Sequence, residues 1–374
     1  MRPSLVYVVD NVEFGGGEHG FSQLAAALRD RYEIAFACQP GGLLGQRLAN
    51  LDIPIHPVEF ERKISPGRVS RLAAIFRETG ADLAHSMGAR ADFYTRLGAQ
   101  RVGKPVVIST VAMFVEGYDV SSPVRWMYGR AMRATEQLGD RYIAVSGAIR
   151  QELIRSHGIP AERVVKIYNG LELDAYRSGN PEGSRLKTEL GLDPGLPVVG
   201  TVGRLVYQKA HGDFLRAAAI TQREIPEAQF LIVGEGPLLG ELEQLSRELD
   251  LRACHFVGFR GDVPDILPTL DVFALSSVLE GLPRVLVEAM ACARPCVATD
   301  INGVREVVED GVNGILVPTE SPEKLAAAIA SLLQHKDRAG ALGQAARSRA
   351  FDQFDLRRTV REVDHLYGEA LLQA

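Results

Sequence analysis

At 374 residues, with 46 % apolar and 24 % charged side chains, the chain is long enough for two globular cores, and no run of about 18 apolar residues could span a membrane. A net charge of −5 argues against general nucleic-acid binding, and the start MRPSLVYVVDNVEF lacks the apolar stretch and small-residue cleavage site of a secretory signal, so a cytoplasmic protein is expected. Cys38, Cys254, Cys292 and Cys296 are scattered in apolar segments and read as reduced core thiols; CARPC has no His or second Cys pair nearby, and no metal site is expected.

Taken in chain order, SLVYVVD predicts a strand, GFSQLAAALRD a helix, YEIAFACQ a strand and GQRLANL a helix, the alternation of a parallel α/β sheet. Between the first two lie Gly15, Gly16 and Gly17. Glycine weakens strands and helices alike, so three together call for a tight turn or for something that comes very close to the backbone. Residues 60 to 133 hold 12 basic against 6 acidic side chains, which predicts a local basic surface. Within that stretch SSPVRWMYGRAMRATEQL predicts a helix from about Pro123. Val124, Met127, Tyr128, Ala131, Thr135 and Leu138 share its inward face. Trp126, Arg130 and Arg133 fall opposite, a pattern that suits peripheral contact with an anionic membrane as well as a plain solvated face.

Apolar periodicity lapses over IYNGLELDAYRSGNPEGSR, which divides the chain into a domain of residues 1–170 and another of 171–355. PVVGTVGRL, AQFLIVGEG, ACHFVGF, DVFALSS and RPCVATD then read as strands of a second α/β domain. A tail helix over about 356–374 carries Val360, Val363, Leu366, Tyr367 and Leu371 on one side and could cap either domain.

Arg204 and Lys209 flank a strand-to-helix loop in VVGTVGRLVYQKAHGDFLRAA. Parallel sheets bind ligands beyond the carboxyl ends of their strands, where a helix start offers free N–H groups, so two cations there make a diphosphate site; ordinary salt bridges are the alternative. In SSVLEGLPRVLVEAMACARPCVATD a strand runs into a loop holding Glu280, Gly281 and Pro283, and a helix from about Arg284 carries Glu288. A carboxylate accepts two hydroxyl hydrogen bonds at once, so each glutamate suits a sugar or ribose edge. Glu280 alone could instead serve the helix dipole.

The ordered set FGGGE, GRLVYQK, FLIVGEGPLLGELE, FVGFRGDVPDIL, EGLPRVLVEAMA and NGVREVVEDGVNGILV resembles the retaining GT-B glycosyltransferases of family four, across nearly the whole chain and most specifically in the E-x7-E element from Glu280 to Glu288. The resemblance implies two Rossmann-like domains whose parallel sheets face each other across a cleft, with the tail helix crossing back to the first. It implies a nucleotide-sugar donor, such as a UDP- or GDP-sugar, held mainly by the second domain, and a glycan or lipid-linked saccharide acceptor at the first. The positions matching Arg204 and Lys209 hold the diphosphate and that matching Glu288 the ribose. Those matching Glu280, Gly281, Leu282, Pro283, Arg284 and Val285 face the donor sugar, largely through backbone. Phe259 and Arg260 match the region packing on the base, and Gly15 and Gly16 the loop closing over the diphosphate. Transfer with retention, without a bound metal or cofactor, is implied.

One departure stands out. Many relatives carry a histidine near the position of Ala112, and this chain has none there; Glu18, His85 and Glu116 are the acceptor-side candidates, and His85 also reads as a hydrogen-bonded core residue. Three alternatives accompany this reading. A GT-B epimerase or phosphorylase, or an idle sugar-nucleotide binder, keeps the fold. An NAD(P) oxidoreductase is suggested by Gly234, Gly236 and Gly240 after a strand, with Arg260 near a 2′-phosphate position.

Overall fold

The structure is a computed structural model and describes residues 2–10, 16–60, 65–112, 122–176 and 183–373. Among these, the first sheet has seven parallel strands: β1 Ser4–Val9, β2 Glu33–Cys38, β3 Ile55–Pro57, β4 Leu83–Met87, β5 Val106–Val111, β6 Arg141–Ala144 and β7 Val164–Lys166, in the order β3-β2-β1-β4-β5-β6-β7. The second has six: β8 Val198–Val202, β9 Gln229–Val233, β10 Cys254–Phe256, β11 Val272–Leu275, β12 Cys296–Thr299 and β13 Ile315–Val317, in the order β10-β9-β8-β11-β12-β13. Strands such as SLVYVV and QFLIV are buried along their whole length, as a sheet covered by helices on both faces requires.

Both orders reverse direction once. From β1 the chain builds outward to β3, then returns to place β4 on the other side of β1; from β8 it builds to β10, then places β11 on the other side of β8. Such reversals leave a crevice beyond the carboxyl ends of the two strands concerned, since the flanking connections leave on opposite faces. The crevices therefore lie between β1 and β4, where Val9 pairs Met87, and between β8 and β11.

The chain divides into two compact units. Unit 1 comprises residues 1–170 and 357–374, and unit 2 residues 171–356. The helix Leu356–Leu372 buries Val363, Leu366 and Tyr367 in the core of unit 1 against Tyr7, Phe21 and Tyr32, with Val360 and Leu371 packed beside them. Its polar side adds hydrogen bonds from Tyr32 and Arg31 to Asp364.

One expectation changes. His85 on β4 is wholly buried, with Nδ1 2.5 Å from the Tyr367 hydroxyl and Nε2 2.7 Å from Thr110 Oγ1. Burial pushes its pKa down to about 3, so it is a neutral core residue and not an acceptor-side base. In the basic stretch Arg71, Arg77, Arg101, Lys104, Arg130 and Arg133 are exposed, as the charge count predicts, while Arg96 is buried. Arg96 is 1 % exposed, its Nη2 accepted by Ser109 Oγ at 3.1 Å and its guanidinium 5.3 Å from the Tyr142 ring centroid, while Asp92 beside it is pushed up to about 6 by burial. In the helix Ser122–Glu136, Trp126 is 65 % exposed with the Arg130 guanidinium 5.1 Å from its ring centroid, and Arg133 is exposed. Thr135 is buried and Leu138 half-buried; the side chains of Val124, Met127, Tyr128 and Ala131 lie outside the described residues, as do Gly15 and Glu116.

Candidate active site

At the β8/β11 crevice, the segment after β8 bends through a short 3-10 turn, Tyr207–Lys209, into the helix His211–Glu224. Ala210 makes the junction in the left-handed region at φ 45°, a conformation costly for a residue with a Cβ. Lys209 Nζ donates to Glu280 Oε1 at 2.6 Å across the crevice, and Ser277 Oγ donates to the same oxygen at 2.7 Å. Both charged side chains are largely withdrawn from water. Arg204 is exposed in the same loop.

The loop after β11 is tied to the segment after β8. Ser276 Oγ donates to the Lys209 and Ala210 carbonyls at 3.0 and 2.9 Å, and the Val278 N–H donates to Gln208 O at 2.9 Å. Gly303 presses on the loop from below: a Cβ there would overlap the Glu280 and Gly281 carbonyl oxygens. These contacts hold the loop from Ser276 to Gly281, and Gly281 and Leu282 are half-buried. Pro283 precedes the helix Arg284–Ala291, on which Arg284 and Val285 are half-buried.

Glu288 lies one turn into that helix and is partly buried. Burial raises its carboxyl pKa, against the opposing pull of Arg284 and a hydrogen bond from the Tyr176 hydroxyl. The site thus brings Lys209, Glu280 and Ser277 together, and separately Glu288 with Tyr176. Ser277, Tyr176 and Gly303 carried no recognisable signal in sequence. His211 was overlooked as well: it opens the helix buried, with Nδ1 lacking a partner among the described residues and its pKa pushed down to about 4 by burial and by Lys209.

The β9 and β10 ends correct the dinucleotide alternative. Gly234 and Gly236 are glycines because a Cβ would overlap the Gly203 and Leu205 carbonyl oxygens, so they serve the contact between two loops. Arg260 is committed to acids, with Nε and Nη2 donating to Asp262 at 2.8 and 2.5 Å and Nη2 to Glu189 at 3.3 Å. Phe259 beside it is 74 % exposed, and its N–H donates to Glu235 Oε1 at 3.3 Å.

Unit 1 places charges at the β1/β4 crevice too. Asp10 follows β1, Gly88 and Arg90 follow β4, and Arg90 Nε donates to Asp10 Oδ2 at 2.5 Å. Glu18 sits half-buried in the first turn of the helix Gly16–Leu28, and its charge is felt by Asp10.

Two family descriptions match, "Glycosyl transferases group 1" over residues 184–349 and "Glycosyltransferase Family 4" over residues 14–175. The chain is 31 % identical over 272 residues to the α-D-kanosaminyltransferase of Streptomyces kanamyceticus, covering 69 % of each. It belongs to glycosyltransferase family 4. This family-4 glycosyltransferase is also 26 % identical over 301 residues to an Escherichia coli UDP-Gal:α-D-GlcNAc-diphosphoundecaprenol α-1,3-galactosyltransferase, covering 79 % of this chain and 77 % of that one. Its GT-B fold is shared with Anabaena HepE, solved in complex with UDP, at a TM-score of 0.87 and 23 % identity over 98 % of this chain and all of that one.

Chemically, a cation beside a helix start can neutralise charge developing on a leaving diphosphate, and a fixed carboxylate can hold sugar hydroxyls as charge builds at the anomeric carbon. A lysine and a carboxylate, Lys209 and Glu280, stand together at one crevice.

Proposed function

We propose that the protein transfers a glycosyl group from a UDP-sugar to a saccharide acceptor carried on a polyprenyl diphosphate, with retention and without a metal. The observation that carries this is the Lys209–Glu280 pair across the β8/β11 crevice, in which only Oε1 of Glu280 is bonded among the described residues. Lys209 and exposed Arg204 hold the diphosphate and take up its charge as the bond to the sugar breaks. Glu280 holds the sugar through Oε2, assisted by the backbone from Gly281 to Val285. Glu288, oriented by Tyr176, holds the ribose, and Phe259 covers the base. The leaving phosphate accepts the acceptor hydroxyl's proton, so the new bond forms on the face the phosphate leaves. UDP in HepE supports the nucleotide, and the names of the E. coli galactosyltransferase and of a Campylobacter jejuni N-acetylgalactosaminyltransferase, both acting on diphospho-undecaprenol saccharides, support the acceptor class. Trp126 with Arg130 and Arg133 gives such an acceptor a membrane-facing approach.

A thermal-shift screen over UDP-, GDP- and ADP-sugars tests the donor, since a ligand at 100 times its dissociation constant adds about 2.7 kcal/mol of apparent stability. A shift confined to UDP-sugars is expected. Product NMR then reads the anomeric configuration, and turnover in EDTA reads the metal requirement. No shift with any nucleotide sugar would reject the reading.

A further inference from the structure

The β1/β4 crevice of unit 1 is built on the same plan as the donor crevice of unit 2, with the signs exchanged. In unit 2 the cation follows the first strand of the pair and the carboxylate follows the second. In unit 1 the carboxylate, Asp10, follows β1 and the cation, Arg90, follows β4. Each pair spans the reversal in its strand order, the place where open parallel sheets bind ligands.

The unit 1 pair is incompletely satisfied. Asp10 is 9 % exposed at its side chain, and while Oδ2 accepts from Arg90, Oδ1 is buried without a hydrogen-bond partner among the described residues. A buried carboxylate oxygen left unpaired costs about 1 to 3 kcal/mol, more when charged, so its retention needs a reason. Arg90 is 22 % exposed at its side chain and donates from Nε to Asp10, and a guanidinium carries further N–H donors on its terminal nitrogens. Gly88, at φ 100°, caps the helix Ala89–Val102, and a Cβ there would lie 3.5 Å from the Asp10 Cβ. Burial raises the Asp10 carboxyl pKa and Glu18 adds to the rise, while Arg90 and Arg68 oppose it.

An acceptor oxygen beside planar N–H donors matches an alcohol, which donates one hydrogen bond and accepts another, and adjacent hydroxyls on a sugar ring present that combination twice. We propose that Asp10 and Arg90 form the saccharide-recognition pair of the acceptor site, Asp10 Oδ1 accepting from an acceptor hydroxyl and Arg90 donating to its neighbour. The pair positions the acceptor and takes no part in bond breaking. This rests on the glycosyltransfer reading above.

The test is saturation-transfer NMR on the full chain with UDP present, using the methyl α-glycosides of glucose, galactose, mannose and N-acetylglucosamine as probes, with UDP affinity measured by calorimetry in parallel. At least one glycoside should be saturated by the wild type. Asp10→Asn and Arg90→Ala should each weaken that binding by about tenfold or more, the loss of a hydrogen bond to a charged group, with UDP affinity unchanged and Asp10→Glu restoring part of the signal. Equal saturation in wild type and both variants, or none with any of the four glycosides, overturns the proposal. A parallel loss of UDP affinity overturns it as well, because the pair would then serve the fold or the donor. Failure of the wild type to bind UDP would instead bring down the glycosyltransfer reading.

Discussion

Unit 1 and unit 2 answer the same architectural problem in two states of completion. At the unit 2 crevice, Glu280 is bonded by Lys209 and Ser277, its loop is tied down by Ser276 and Val278, and Gly303 supports it from below. At the unit 1 crevice, one ion pair spans the gap and one carboxylate oxygen has no partner among the described residues. A preformed site costs less reorganisation when its ligand arrives, which suits a nucleotide sugar that must be held for chemistry. An open valence leaves selectivity to the ligand that fills it, which suits an acceptor.

The sharpest way to break the comparison is to undo the support in unit 2. Gly303→Val should push the loop at Glu280 and Gly281 out of place, and misplacement on the scale of 1 Å can cost about a hundredfold in turnover. We expect kcat/KM for the donor to fall by at least about that factor with far-UV circular dichroism unchanged; near-normal turnover would mean that the support is incidental. Lys209→Ala comes next. UDP affinity should drop by about 1.5 to 3 kcal/mol in calorimetry, whereas Glu280→Gln should leave UDP binding intact and slow transfer. The opposite pattern would exchange the roles of the two residues.

A third prediction separates the units by acid. His85 has its folded pKa pushed from 6.5 down to about 3, so above pH 6.5 neither state is protonated and the stability is fully present. As pH falls, the unfolded chain takes up the proton and the folded one does not, and about 2 kcal/mol should be lost between pH 7 and pH 5. Denaturant titrations of His85→Gln should show a lower starting stability and a flatter slope for unit 1, while unit 2 retains the acid sensitivity of His211, which has the same sign. An unchanged slope would remove His85 as its source. The smallest effect concerns the exposed helix of unit 1. Arg133→Ala should weaken sedimentation with anionic vesicles by about 1 kcal/mol at low salt. Binding that ignores this change would favour a soluble acceptor.

Much of unit 2 was legible in sequence because its site is written locally: Arg204 and Lys209 share one loop, and Glu280 and Glu288 are joined by a fixed spacing across one loop and helix start. The unit 1 pair was not. Asp10 and Arg90 are distant in sequence, and nothing about either becomes notable until the strand order puts β1 beside β4. Tyr176 was hidden for the same reason, since its partner Glu288 lies on a helix far along the chain. Counting charges could not single out Arg96, which contributes to the basic total while buried against Ser109 and Tyr142. Strands and helices follow from periodicity, but which two charges meet is decided by topology.

The return of the helix Leu356–Leu372 to unit 1 sets an order of events during synthesis. The ribosome completes all of unit 2 before it makes the helix that covers Tyr7 and Phe21 and supplies the Tyr367 hydroxyl to His85. Until then a nascent chain carries that apolar face of unit 1 bare, although the seven strands behind it have long been translated. The half made first is thus the half finished last, and a chain stopped after Leu356 would leave unit 2 whole and unit 1 sticky.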